Sequence, residues 1–261
     1  MINVQGVADH ITGWLRDYAE GAGAQGFVIG VSGGIDSAVS SALAARTGLP
    51  LTVVEMPIHQ SADQVARARD HIAFLKSVYS DVDSREVQLS DVYDRLLSAL
   101  PAGDHPARAE MAMVNTRARL RMTTLYHVAA LSGRLVVGTG NKVEDFGIGF
   151  FTKYGDGGVD LSPIADLTKT EVYALGRALG VNDAILAAPP TDGLWGDDRT
   201  DEDQIGASYP ELEWAMTFSG DRAGLGARQA EVLAIYERLN AANRHKMVPI
   251  PVCLIPDGLR G

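Results

Sequence analysis

Apolar residues fall at two spacings along this chain, and the alternation between the two lays out a fold. Val4, Val7, Ile11, Trp14 and Leu15 recur every three or four positions, which predicts an amphipathic helix over Val4–Tyr18 with Trp14 and Leu15 as packing residues. Phe27–Val31 is a short unbroken apolar run rich in β-branched residues, the mark of a buried strand. Small and apolar residues from Ala38 to Ala45 predict a helix that Gly48 stops. Leu51–Met56 reads as a second strand closed by Pro57, and Ser61 with Gln64 reads as a capping box opening a helix over Ala62–Phe74. Ser84–Leu89 alternates like a third strand, and Asp91–Leu100 follows as a short helix. Met111–Ala130 is the longest helical stretch, and Arg134–Thr139 reads as a fourth strand. Strands separated by helices predict an α/β fold, a parallel sheet flanked by helices in a Rossmann-like three-layer arrangement with right-handed crossovers. No linker-like stretch divides the chain, so one domain over residues 1–261 is expected.

The second half is less periodic. Gly147–Asp160, GIGFFTKYGDGGVD, is too rich in glycine for a regular helix, and Phe150 and Phe151 within it read as core. Thr168 and Glu171 form a capping box for a helix running to Gly180, and Ser208 with Glu211 caps another. Pro189–Asp203 is acidic and turn-rich, a surface loop expected to act as a lid. Leu225–Ala242 is the last long helix, and the tail Pro249–Pro256 is held extended by its prolines.

Composition narrows the classes. No apolar run approaches the length that spans a bilayer, and MINVQGVADHITGWLRDYAE lacks the basic head and apolar stretch of a signal peptide. The single cysteine, Cys253, excludes an internal disulfide and a multi-cysteine metal site, which fits a cytoplasmic setting. Set between Pro251 and Pro256, it reads as a packed, inert thiol rather than as a nucleophile. A formal net charge of −10 argues against a nucleic-acid partner.

The chemistry is concentrated where strands end. In parallel α/β folds ligands sit beyond the carboxyl ends of the strands, so Ser32, Pro57 and Thr139 should line one crevice. Gly30 and Val31 lead into Ser32-Gly33-Gly34-Ile35-Asp36-Ser37, a glycine-rich turn between a strand and a helix. Glycines let backbone N–H groups face an anion, and the helix N-terminus adds partial positive charge, so the turn reads as a phosphate cradle. It has neither the Gly-Lys-Ser/Thr ending of a Walker loop nor the G-x-G-x-x-G of a dinucleotide fold.

The Ser32–Ser37 motif resembles the pyrophosphate-gripping loop of the N-type ATP pyrophosphatases, which include GMP, asparagine and NAD synthetases and tRNA-thiolating enzymes. That resemblance implies an adenine nucleotide α-hydrolase-like fold, with the loop on ATP phosphates and Asp36 on Mg²⁺. Mg²⁺ takes oxygen ligands, and Glu144, just beyond the fourth strand, is the second carboxylate expected to hold it. Lys169 at a helix start is a candidate phosphate clamp. A lysine is mildly unfavourable at a helix N-terminus, so a bound anion explains it better than a solvated first turn.

Longer segments narrow the resemblance. VVGTGNKVEDFGIGFFTKYGDGGVDLSPIADLTKTEV, APPTDGLW, RTDEDQIGASY, NTRARLRM and the late Arg244-His245-Lys246 are similar to ammonia-dependent NAD synthetases, over about Val28 to Lys246. The resemblance implies ATP-dependent amidation of deamido-NAD by ammonia, with ATP on Gly30–Ser37, Thr139, Lys169 and Thr191. It implies Arg119, Lys153, Asp160, His245 and Lys246 as contacts for deamido-NAD, and a homodimer with substrate near the interface. Catalysis then rests on Asp36, Lys169 and Glu144. Arginine and lysine suit a substrate that carries two phosphates and a carboxylate. Taken alone, Arg119 could belong to a solvated helix face and His245-Lys246 to an exposed helix end. Glu55-Met56-Pro57 stands where many bacterial relatives have a basic residue before Leu-Pro, and Gly140–Val143 resembles the glutamine-dependent relatives. A separate glutaminase is compatible with this but is not called for. The other readings are another amidating pyrophosphatase, such as a GMP synthetase subunit, and a non-catalytic adenine-nucleotide sensor.

Overall fold

The computed structural model describes residues 2–191 and 200–260. The chain runs α1 (Val4–Gly21), β1 (Phe27–Gly30), α2 (Ile35–Ala45), β2 (Leu51–Glu55), α3 (Ala62–Val78), β3 (Val82–Glu86), α4 (Ser90–Ala99), α5 (Pro106–Ser132) and β4 (Leu135–Val136). A π-helical turn at Lys142–Ile148 follows, then α6 (Lys169–Ala178), α7 (Asp183–Leu186), α8 (Asp201–Ile205), α9 (Tyr209–Thr217) and α10 (Ala227–Met247). The strands form one parallel sheet in the order β3-β2-β1-β4, with Phe27 opposite both Leu51 and Leu135. The parallel sheet between helical layers is the α/β arrangement expected.

The run of apolar residues in β1 follows from burial on both faces. Phe27 and Ile29 face a core that joins α1, α2, α3 and α6 through Leu15, Leu43, Leu75 and Leu175. Val28 faces the opposite layer with Val54, Tyr93, Met122 and Leu125 of β2, α4 and α5. Each fully buried side chain of this kind stabilises the fold by about 1.5–3 kcal/mol. A third cluster ties the π-helical turn to α9 and α10 through Val143, Ile148, Leu212 and Val232.

Several boundaries differ from the sequence reading for physical reasons. β3 is Val82–Glu86 rather than Ser84–Leu89, because pairing with β2 sets Val82 against Leu51. Val87 and Leu89 instead pack into the α4–α5 layer. β4 keeps only Leu135–Val136, since Gly138 turns its N–H to Leu161 O at 2.7 Å. The capping box of α3 is half formed: Ser61 Oγ accepts from Gln64 N, but Gln64 Oε1 accepts from Gln60 Nε2. α5 begins earlier, at Pro106, where a residue without an N–H costs nothing.

Leu15 is buried as expected, but Trp14 is 40% exposed and lies against Tyr18. Phe150 and Phe151 are half-buried rather than core. The packed thiol is also corrected: Cys253 is exposed. Ile250, Val252 and Leu254 around it are exposed too, because the tail leaves α10 with no face of the fold to cover it. Among the described residues no helix is long and apolar enough to cross a membrane. Of the expected lid, residues 192–199 lie outside the described residues; beside them Asp201 N donates to Pro190 O at 3.0 Å.

Candidate active site

One crevice opens beyond the carboxyl ends of β1 and β2, and its lining gathers Gly30 through Ser37, Pro57, Thr139, Glu144, Lys169 and Thr191. The loop after β1 is held by its own hydroxyls. Ser37 Oγ accepts from Ser32 N at 3.2 Å and donates to Gly34 O at 3.0 Å, while Ser32 Oγ accepts from Gly34 N at 3.2 Å. Gly33 has φ +82°, and a Cβ there would stand 2.5 Å from Gln64 O, so no other residue fits this turn. α2 starts at Ile35, earlier than its apolar pattern suggests, which puts Asp36 in the first turn. The amides of Ile35, Asp36 and Ser37 precede the helix's first backbone bond, from Ala38 N to Gly34 O, and are therefore anion donors.

Lys169 is the centre of the site. α6 packs closely on α2: a Cβ on Gly176 would meet Ile35 Cδ1 at 2.7 Å. That approach sets Lys169, in the first turn of α6, 2.6 Å from Asp36 Oδ2 and 2.9 Å from Glu144 Oε1. Lys169 is 2% exposed. Burial opposes its charge, but Asp36 and Glu144 outweigh burial and hold the ammonium protonated well beyond the usual lysine range. Burial, with Glu144 adding to it, raises Asp36 above the ordinary carboxylate value. Burial also pushes Glu144 up, yet Lys169 and the hydroxyl of Tyr209 hold it below the ordinary value. A buried charge left without its partner costs several kcal/mol, so these three groups stand or fall together.

Two residues that the sequence reading did not single out complete this knot. Asn141, fully buried, donates to Asp36 Oδ1 at 3.1 Å and accepts from the amides of Val143 and Glu144, each at 3.1 Å. It thereby caps the π-helical turn that aims Glu144 inward, and its signal was an Asn followed three residues later by an acid. Tyr209 donates its hydroxyl to Glu144 Oε1 and lies 3.2 Å from Asp201 Oδ2, with Lys169 Nζ 4.7 Å from its ring centre. Nothing in its local sequence beyond the adjacent Ser208 cap marked it. Asp145 and Asp156 add two more carboxylates to the crevice wall.

The residues expected to contact deamido-NAD lie outside this knot. Arg119 is exposed, with Nε donating to Lys153 O at 3.2 Å. Lys153 Nζ donates to His245 O at 2.9 Å, and Lys246 Nζ donates to Phe151 O at 2.7 Å. Arg119, Lys153, His245 and Lys246 are thus linked between α5, the glycine-rich segment and the last turn of α10. Burial lowers the Lys246 ammonium from its usual value, and Asp156 and Asp145 oppose that shift. Asp160 accepts from Tyr126 Oη at 2.9 Å and from Val136 N at 2.8 Å, so its carboxylate fastens α5 to β4.

A family model described as NAD synthase matches residues 7–247. An NH(3)-dependent NAD(+) synthetase of Syntrophomonas wolfei is 36% identical, covering 99% of this chain and 100% of its own length. One of Carboxydothermus hydrogenoformans is 35% identical over 94% of this chain and 96% of its own. Among solved structures, an NMN synthetase from Francisella tularensis superposes with a TM-score of 0.84 at 31% identity, over 98% of this chain and 100% of its own.

Proposed function

The chain belongs to the NAD synthase family, and on that premise we propose that its crevice performs the ATP-dependent amidation of deamido-NAD with ammonia, giving NAD, AMP and pyrophosphate. The single observation that carries the site assignment is the buried Asp36–Lys169–Glu144 knot beside the Ser32–Ser37 loop. The nicotinate carboxylate attacks the α-phosphate of ATP, and the α–β phosphoanhydride bond breaks to release pyrophosphate. Ammonia then attacks the adenylated carbonyl and expels AMP. The protein supplies positioning and charge neutralisation. The loop amides hold phosphate oxygens, Lys169 has its charge within reach of them, and Thr139 and Thr191 line the same wall.

The donor set fits Mg²⁺. Asp36 and Glu144 already converge on a cation, Nζ of Lys169, and Mg²⁺ takes one or two carboxylates plus phosphate oxygens. Among the described residues no group of three or more His, Cys, Asp or Glu is placed to cage a metal, and Mg²⁺ typically completes its shell with phosphate oxygens and water. The ion would supply neutralisation of phosphate charge when bound; Asp36 and Glu144 would hold it, with Asn141 and Tyr209 orienting them.

Arg119, Lys153, Asp160, His245 and Lys246 are assigned to deamido-NAD. The homodimer is supported by exposed apolar residues Val92 and Leu96 on α4, Leu100 just after it, and Met111 and Met113 on α5, the helix that carries Arg119. Sedimentation at micromolar concentration tests it. A single catalytic domain using free ammonia is supported by a family match running from residue 7 to 247 and by whole-length relatives named as NH(3)-dependent. A second reading, amidation of the deamido mononucleotide, is favoured by the whole-chain likeness to the NMN synthetase. The deciding assay follows AMP release with deamido-NAD, the mononucleotide or neither, and with ammonium or glutamine as sole nitrogen donor. AMP release that requires deamido-NAD and ammonium is expected. Release that needs neither pyridine nucleotide, or glutamine-supported turnover abolished by Cys253→Ser, overturns the reading.

A further inference from the structure

α3 lies directly on the phosphate loop. A Cβ on Gly33 would stand 2.5 Å from Gln64 O and 3.2 Å from Arg67 Cβ. From this position Arg67 Nε donates to Gly33 O at 3.3 Å, which sets the side chain against the turn. Arg67 is half-buried and lines the same crevice as Ser32–Ser37. The cations around it are committed to oxygens of the protein. Arg69, two positions on, reaches Glu55 at 3.2 Å and Glu86 at 3.1 Å. Arg121 donates to Met56 O at 3.1 Å and to Gln60 Oε1 at 2.7 Å, and Lys169 is shared by Asp36 and Glu144. Arg67 pairs with no carboxylate among the described residues, and the Nη–H groups at the end of its guanidinium make no hydrogen bond there.

Acidic residues outnumber basic ones along the crevice lining. The loop amides carry only partial charge, and Lys169 divides its charge between two carboxylates. A guanidinium is always charged and presents paired N–H donors that match phosphate oxygens two at a time. We propose that Arg67 holds the pyrophosphate that leaves when the substrate carboxylate is adenylated. This rests on the amidation reading above and adds a residue to the reacting groups assigned there. As the carboxylate oxygen bonds to the α-phosphorus, the bond from that phosphorus to the bridging oxygen breaks. Its electron pair goes to pyrophosphate. Negative charge grows on the leaving group beside the turn on which Arg67 rests. The guanidinium stabilises that charge more than it stabilises ATP before reaction, which lowers the barrier.

The experiment measures binding of pyrophosphate, ATP and AMP by calorimetry with Mg²⁺ present, and turnover alongside, in the unchanged protein and in Arg67→Gln, Arg67→Lys and Arg67→Ala. A glutamine side chain has its amide nitrogen where arginine has Nε. Arg67→Gln therefore keeps the bond to Gly33 O and removes only the charged end. It is expected to weaken pyrophosphate and ATP by about 10- to 100-fold, the range for a hydrogen bond to a charged group. AMP, which lacks the β- and γ-phosphates, should stay within about twofold. The kcat should fall by about tenfold or more with KM for deamido-NAD unchanged. Arg67→Lys, with the charge but not the fork, should lie between Arg67→Gln and wild type. The proposal is overturned if Arg67→Gln matches wild type while Arg67→Ala fails, which would make Arg67 a tie between α3 and the loop. Equal loss of AMP in a variant that melts like wild type, or Arg67→Lys no better than Arg67→Gln, also overturns it. If Arg67 governs pyrophosphate binding but no AMP forms from ATP and deamido-NAD, the amidation reading fails while the assignment of Arg67 stands. If AMP forms and Arg67→Gln changes nothing, the assignment fails while amidation stands.

Discussion

Around the phosphate loop, the part proposed for ATP, Lys169 is 2% exposed and reaches both Asp36 and Glu144, whereas in the group proposed for deamido-NAD Arg119 lies open and spends its Nε–H on a carbonyl of its own chain. Lys153 and Lys246, both half-buried, likewise donate to backbone carbonyls, His245 O and Phe151 O. The difference follows from burial. Charges taken out of water must find partners when the chain folds, so the ATP half is assembled before any ligand arrives. A charge at the surface, as on Arg119, keeps its hydration and can exchange a weak internal bond for an anionic ligand. One half ties catalysis to stability; the other separates them.

Lys169→Met should have the largest effect, because it leaves two buried carboxylates facing each other. A loss of about 3–5 kcal/mol in unfolding free energy is expected, together with loss of turnover. Denaturant melts read the first quantity, and a melt unchanged from wild type would show that the ATP half is not preassembled. Asp36→Asn and Glu144→Gln keep shape and hydrogen-bonding capacity, and should lower kcat by about 10²- to 10³-fold. Turnover within tenfold of wild type at saturating Mg²⁺ would remove these carboxylates from the metal.

The ATP half should also carry a pH signature. Beneath the phosphate loop His71 is fully buried and bonds Ser41 Oγ at 2.9 Å, and Ser41 Oγ in turn donates to Ser37 O at 2.7 Å. Burial lowers the imidazole from 6.5 to about 4. The unfolded chain therefore takes up this proton before the folded one does. The contribution of His71 is fully present above pH 6.5 and declines as the pH falls from 6.5 to 4, by about 3 kcal/mol at pH 4. His71→Gln should flatten the stability–pH curve in that window, and an equally steep curve would assign the loss to other groups.

The smallest effects on the fold belong to the open half. Arg119→Ala and Lys153→Ala should each change stability by less than about 0.5 kcal/mol. Each should also raise KM for deamido-NAD by about tenfold or more while ATP binding stays unchanged. Equal loss of ATP affinity in a direct titration would move Arg119 and Lys153 to the part proposed for ATP.

Much of this was legible in local sequence. Phe27–Val31 followed by Ser32-Gly33-Gly34 announced a strand, a tight turn and a helix N-terminus, since burial and backbone geometry act within a few residues. The apolar runs of β1 and β2 gave a parallel sheet, and the segments from Val28 to Lys246 gave the family. The edges were harder. β3 was placed late because its register depends on β2, and the two-residue β4 because Gly138 turns towards Leu161, a partner far along the chain.

What the sequence determined by itself was the order of elements, the phosphate loop and the inventory of charged residues, because propensity and periodicity are properties of neighbouring residues. Only the tertiary structure decided that Lys169 sits between Asp36 and Glu144, and that Asn141 and Tyr209 steady those carboxylates. It also decided that Cys253 is open to solvent rather than packed. Partnership and burial depend on which elements meet, and Lys169 is 133 positions from Asp36, a separation that only the packing of α6 on α2 closes.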